Sequence, residues 1–248
     1  TGRVELHFTA TGRRGQPFET RQRLCVTSAR LDWADGEARL TGWTPVRETV
    51  PSHAAWRQPA DGADPAPGFI HALRDPALFR DPTDGQEYLV YAASLAGGRL
   101  HRGAIGIAVA DGDGGWTDLG PLLRADGLNH ELERPHLLQT GDGIYLFWCT
   151  QGKMFAPGGP VGPTGLYAIF APALHGRWTP VNGSGLVAAN PPEAPSQTYA
   201  WWVTGGLEVH GFVDVLPDAP PGDRCRVFAG GLAPPFHVEL EGPTSRIR

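Results

Sequence analysis

Two short stretches of this chain echo each other: Leu73-Arg74-Asp75-Pro76-Ala77-Leu78-Phe79 and Leu132-Glu133-Arg134-Pro135-His136-Leu137-Leu138. Each carries a carboxylate near its head, and each runs through a turn into a second apolar run. The first passes Asp84-Gly85 into Tyr88-Leu89-Val90-Tyr91, the second Asp142-Gly143 into Tyr145-Leu146-Phe147-Trp148. Asp-Gly between strand-like runs is a hairpin signal, because both residues tolerate the backbone that a tight turn needs. A repeat of roughly fifty to sixty residues built from short strands is the pattern of a β-propeller, in which the first strand of each blade lines a central funnel. On that reading Asp75 and Glu133 occupy similar places in successive blades and face one cavity.

The rest of the chain agrees with an all-β fold. Its 248 residues include 34 Gly and 24 Pro, which favours many turns over long helices. Alternating runs such as Val4-Glu5-Leu6-His7-Phe8 are short and bounded by Gly, Pro or Asp. A formal net charge of -5 with no Lys/Arg run excludes the basic face that nucleic acid or an anionic membrane demands. No apolar run approaches the roughly eighteen residues of a membrane span, and the first residues lack the charged-then-apolar pattern of a signal peptide. Compartment stays open. The three cysteines, Cys25, Cys149 and Cys225, lack metal-type spacing and read mostly as buried small hydrophobes, with one disulfide left open.

The hairpin pattern also serves as a ruler. Arg3 to Gly12 resembles Gly143 to Gly152, the second strand of its hairpin, yet no first strand precedes it; a later unit runs from Gln197 through Thr204-Gly205-Gly206 to Val213. The chain is therefore expected to hold three to four blades and to begin partway through one, as a single incomplete propeller domain over residues 1–248. An unclosed propeller exposes blade faces and strand edges, which implies a companion polypeptide or fragment that completes it. A complete sandwich is the alternative reading of the same strands.

A set of landmarks spans nearly the whole chain: Val4 to Gly12, Arg74-Asp75-Pro76, Ala104-Ile105-Gly106-Ile107-Ala108, Glu133-Arg134-Pro135-His136, Gly165-Leu166-Tyr167, Asn182-Gly183-Ser184-Gly185-Leu186-Val187, Gln197-Thr198-Tyr199 and Gly230-Gly231-Leu232-Ala233-Pro234. Together, in this order and spacing, they resemble the C-terminal two-thirds of the levansucrase type of fructosyltransferase, glycoside hydrolase family 68, most closely its Gram-negative branch. The resemblance implies a five-bladed propeller, secreted or periplasmic, that needs no cofactor. It implies an enzyme that cleaves sucrose with retention and passes fructosyl to water, sucrose or fructan. The family's nucleophile is an Asp in a Trp-Asp motif. This chain has only the reversed Asp32-Trp33, after the wrong landmarks. The expectation is that the companion carries the nucleophile.

Retaining cleavage needs two carboxyl groups about 5 Å apart with an oxocarbenium-like transition state between them. By resemblance, Glu133 is the general acid/base, a role that asks for a carboxyl able to hold a proton near neutral pH. Asp75 matches the third carboxylate, which binds fructose hydroxyls and favours the positive transition state. Arg74 and Glu131 match positions that contact sucrose hydroxyls, although Arg74 could instead brace Asp75 or Glu133. Gln151 falls where the family usually has Arg or His, a place that contacts the donor and influences product length. Tyr199 matches a Tyr near the acid/base. Each has an ordinary alternative: Arg-Asp-Pro is often a turn, as in Arg80-Asp81-Pro82, Glu-Arg a solvated pair, and Tyr a core residue.

His136 is read as a hydrogen-bonded wall residue with no assigned role. His130 stands where calcium-binding relatives place an Asp, and Ca²⁺ prefers oxygen, so no metal is expected. Trp148, Trp201 and Trp202 read as blade core ahead of sugar platforms. Two further functions fit the residues: a carbohydrate-binding propeller without the nucleophile, and a related glycosidase acting on arabinose or another furanoside.

Overall fold

The computed structural model describes residues 2–12, 15, 21–59, 71–98, 100–215 and 228–248. Four antiparallel sheets follow one another along the chain in a four-bladed propeller arrangement, the upper end of the expected three to four. The first comprises β1 (Gly2–Thr11), β2 (Gln22–Ala34), β3 (Glu37–Thr41) and β4 (Arg47–Glu48). The second holds β5 (Leu73–Arg80), β6 (Glu87–Ser94), β7 (Gly103–Ala110) and β8 (Trp116–Arg124). In the third, β9 (Glu133–Gln139), β10 (Ile144–Thr150) and β11 (Gly165–Ala171) are flanked by β12 (Thr179–Pro180) and β13 (Leu186–Ala189). The fourth is β14 (Thr198–Val203), β15 (Glu208–Val215), β16 (Phe228–Leu232), β17 (Phe236–Glu241) and β18 (Thr244–Ile247).

The continuous apolar runs are explained by burial on both faces. On β10, Ile144, Leu146 and Trp148 enter the core shared with the second sheet, while Tyr145, Phe147 and Cys149 enter the core shared with the fourth. Tyr88 and Val90 of β6 likewise face the third sheet, and Leu89, Tyr91 and Ala93 face the first. A strand sandwiched between blades has no solvent face, so its side chains need not alternate in polarity. Gly143, at φ 153°, closes the β9–β10 turn where a Cβ would lie 2.4 Å from the Ala171 carbonyl oxygen. Only glycine fits so close to backbone.

The strands β5, β9 and β14 begin their sheets and pack side by side, with β1 against β5. Among the described strands β1 pairs only with β2, and its register places Leu6 on the same face as Leu31, Trp33 and Leu40. Part of that face is apolar and open, with Leu6 49%, Trp33 66% and Leu40 43% exposed, whereas Cys25, Thr27 and Ala29 on the same face are buried. Cys25 and Cys149 are free and buried, as read, whereas Cys225 lies outside the described residues. Trp148 and Trp201 are core, but Trp202 is half-exposed, which corrects its reading as blade core.

Candidate active site

Each of the three central strands carries the same irregularity. In β5, Arg74 pairs with Ala92 and Ala77 with Val90, so Asp75 and Pro76 together oppose a single residue. Arg134 and Pro135 do the same in β9, as do Ala200 and Trp201 in β14. These are β-bulges, one extra residue that bends the strand and re-aims its side chains. Asp75, Arg134 and Ala200 take positive φ, 56°, 51° and 63° respectively. Such backbone costs a non-glycine residue about 1–3 kcal/mol and persists only where surroundings impose it. Proline suits the next position, since it has no N–H to leave unpaired.

The bulges correct the equivalence expected between the two carboxylates. Arg74, Glu133 and Tyr199 are the matching residues, each just before its bulge, whereas Asp75 matches Arg134. The matching residues meet side by side. Arg74 Nη2 donates to Glu133 Oε1 at 3.1 Å, and the Tyr199 hydroxyl donates to Glu133 Oε2. The Asp75 carboxylate accepts the backbone N–H of Arg134 at 3.0 Å, which ties the second sheet's bulge to the third's. From the first sheet, Thr9 Oγ1 accepts the Asp75 N–H at 3.0 Å.

Arg74 is the hub. Besides Glu133 it reaches Glu131 Oε1 at 3.4 Å and Asp75 Oδ2 at 3.8 Å. Burial opposes its charge, but attraction from Glu133, Glu131 and Asp75 outweighs this and holds the guanidinium above its usual range. Glu131 is pushed up, chiefly by burial, with Glu133 adding and Arg74 opposing. The Tyr199 phenol is raised by burial and then by Glu133, so it stays a donor. Glu131 is placed by Asn129, whose Oδ1 accepts its N–H at 2.9 Å and the Thr150 hydroxyl at 3.1 Å.

Five of the six expected site residues therefore form one cluster: Arg74, Asp75, Glu131, Glu133 and Tyr199. Gln151 follows β10 at the start of a short 3₁₀ turn, where its carbonyl accepts from Met154; no hydrogen bond joins it to the cluster among the described residues. Sequence reasoning missed Thr9, Asn129 and the Arg134 backbone. Thr9 and the Arg134 N–H reach Asp75 from other sheets, which no local pattern signals, whereas Asn129 bonds the N–H two residues on, an Asx turn that Asn129-His130-Glu131 could have suggested.

The glycoside hydrolase family 68 profile, described as levansucrase/invertase, matches residues 96–248. The chain belongs to the levansucrase/invertase family. It is 30% identical to levansucrase LscC of Pseudomonas savastanoi pv. glycinea, over all of this chain and 60% of that relative. A levansucrase from Rahnella aquatilis is 34% identical over 70% of this chain and 47% of its own. Among solved structures, inulosucrase from Halalkalicoccus jeotgali bound to kestose superposes with a TM-score of 0.86 at 33% identity, covering 99% of this chain and 66% of that one. The chain thus spans about half to two-thirds of the length of these family members.

His130, which the resemblance sets in the place of a calcium ligand, is buried, and its Nδ1 accepts the backbone N–H of His101 at 3.2 Å. Burial holds its pKa down to about 4. A neutral imidazole already engaged by backbone is a poor substitute for a carboxylate toward Ca²⁺. Treatment with a chelator is expected to leave the melting temperature unaltered. A marked drop reversed by added Ca²⁺ would show that the chain builds its calcium site differently.

Proposed function

We propose that this chain is part of a retaining, sucrose-acting fructosyltransferase, a five-bladed propeller in which it works with a companion segment that brings the nucleophilic Asp. The observation that carries the reading is the bonded row Arg74–Glu133–Tyr199, with Asp75 at the adjacent bulge, in a member of the levansucrase/invertase family.

Glu133 is the acid/base. With both its oxygens accepting hydrogen bonds it is arranged as an ionised carboxylate, the form that takes a proton from the acceptor hydroxyl. In the first half-reaction its protonated form, with the proton on the oxygen that Tyr199 relinquishes, gives that proton to the glycosidic oxygen. The bond from that oxygen to the fructosyl anomeric carbon breaks, glucose leaves, and the nucleophile's carboxylate bonds to the carbon. The second half-reaction reverses these movements with water or a sugar hydroxyl as the attacking group. Asp75 remains unbonded and offsets the positive charge on the ring. Arg74 and Glu131 contact sugar hydroxyls, and Gln151 borders the donor.

The open apolar part of the first sheet's face, with Leu6, Trp33 and Leu40, supports a companion that covers it. Purified alone, the chain is expected to aggregate or melt without cooperativity, and to become monodisperse with its companion. A monodisperse, cooperatively melting monomer of this chain alone would overturn the split arrangement. The function itself is tested by incubating the assembled protein with sucrose and following glucose, fructose and fructan. Glucose release is the expected result. Sucrose binding without glucose release would make the propeller a binding module, and cleavage of arabinofuranosides but not sucrose would make it a different furanosidase.

A further inference from the structure

His136 is the first residue past the bulge of β9, and it is buried. Its ring lies between Phe147 of β10, with centroids 5.2 Å apart at 19°, and Trp202 of β14, at 4.1 Å and 17°. The backbone N–H of Val203 in β14 points at Nε2 over 3.0 Å, and Nδ1 lies 3.1 Å from the Arg134 carbonyl. These contacts fix the proton. An amide N–H can only donate, so Nε2 is bare; a carbonyl can only accept, so Nδ1 carries the hydrogen. Burial holds the pKa down to about 4, which keeps this neutral form.

The ring therefore ties the carbonyl of Arg134 to the backbone of β14, while the N–H of the same residue is bonded to Asp75. Glu133 is the residue before it, and its other partner, Tyr199, sits on β14. The corresponding positions in the other two bulges are Ala77 and Trp202, and neither side chain bonds the carbonyl of its bulge among the described residues; in β14 it is the Cys149 thiol that donates to a bulge carbonyl, that of Trp201. A bulge as such does not need the imidazole. The geometry points to His136 as a positioning residue, whose Nδ1–H to Arg134 oxygen bond holds the strained bulge so that Glu133 and Asp75 keep their relative placement for fructosyl transfer. This rests on the reading of Glu133 and Asp75 as reaction carboxylates.

Two variants separate the ring's two bonds. The Asn amide nitrogen can reach where Nδ1 sat, whereas the Gln side-chain oxygen can reach where Nε2 sat. In the complete, sucrose-active assembly, both variants should melt at lower temperature. His136→Gln should lose about tenfold to a hundredfold in kcat at near-constant KM, because a small misplacement of reacting groups is costly in rate. His136→Asn, as the conservative rescue, should retain most of kcat. Equal kcat losses in both, or full kcat in a folded Gln variant, would overturn the assignment. Should neither variant fold, ¹⁵N-histidine NMR of the wild-type protein decides it. A neutral, Nδ1-protonated His136 between about pH 5 and 8 is expected, and a charged or Nε2-protonated ring would overturn it. A wild-type assembly inert toward sucrose would instead sink the fructosyltransferase reading, and the NMR result would be unaffected.

Discussion

Glu133→Gln is expected to cut sucrose turnover by at least about a hundredfold, the scale of a lost general acid/base, while the protein stays folded and binds sucrose. Arg74 loses one of three carboxylate partners but keeps Glu131 and Asp75, so its buried charge is not stranded. The amide is nearly isosteric and can still accept from either Tyr199 or Arg74. What it cannot do is carry a mobile proton. The same reasoning predicts a selective rescue: a fructosyl donor whose leaving group departs without protonation, such as fructosyl fluoride, should lose far less in its first half-reaction than sucrose does. Steady-state kinetics on both donors, with melting curves as control, check this. Unchanged sucrose turnover would remove Glu133 from the mechanism.

Much of the fold is legible in the chain because propeller blades are built from local hairpins. The runs Tyr88–Tyr91 and Tyr145–Trp148 are apolar without interruption because they divide their side chains between two inter-blade cores. A reader of sequence sees the run and the turn beside it, and the strands follow. The site was legible only to the level of residue type. Leu73-Arg74-Asp75-Pro76 and Leu132-Glu133-Arg134-Pro135 invite a match between the acidic residues, yet the bulges pair Arg74 with Glu133 and Asp75 with Arg134. The decisive variable is a positive φ at one residue, which the letters do not carry.

Long-range bonds were equally hidden. Thr9 reaches Asp75 from the first sheet, and His136 reaches Val203 from the third to the fourth. Each links residues remote in sequence, where no periodicity can register the contact. Trp201 and Trp202 make the same point, since neighbours of one type part company at the bulge. Trp201 turns into the core, where its carbonyl accepts from the Cys149 thiol, and Trp202 covers His136 at the surface.

Asp75→Asn is the second large effect expected: kcat should fall by at least about a hundredfold while KM rises far less, because the lost charge acts most strongly as positive charge develops on the ring. Asn tolerates the left-handed backbone at φ 56°, and its side-chain oxygen can still accept the Arg134 N–H, so the bulge should survive the change. The electrostatics of the cluster support the argument. Three carboxylates, of Asp75, Glu131 and Glu133, share the single guanidinium of Arg74, and a site with that balance favours a cationic transition state over a neutral sugar. A stabiliser of this kind does not itself bond to fructose, so the covalent adduct must form on another carboxylate. Trapping the fructosyl-enzyme from the assembled protein and mapping it by peptide mass spectrometry should place the label on an Asp of the companion segment. A label on Asp75, or on any residue of this chain, would refute both the role given to Asp75 and the division of the active site between two segments.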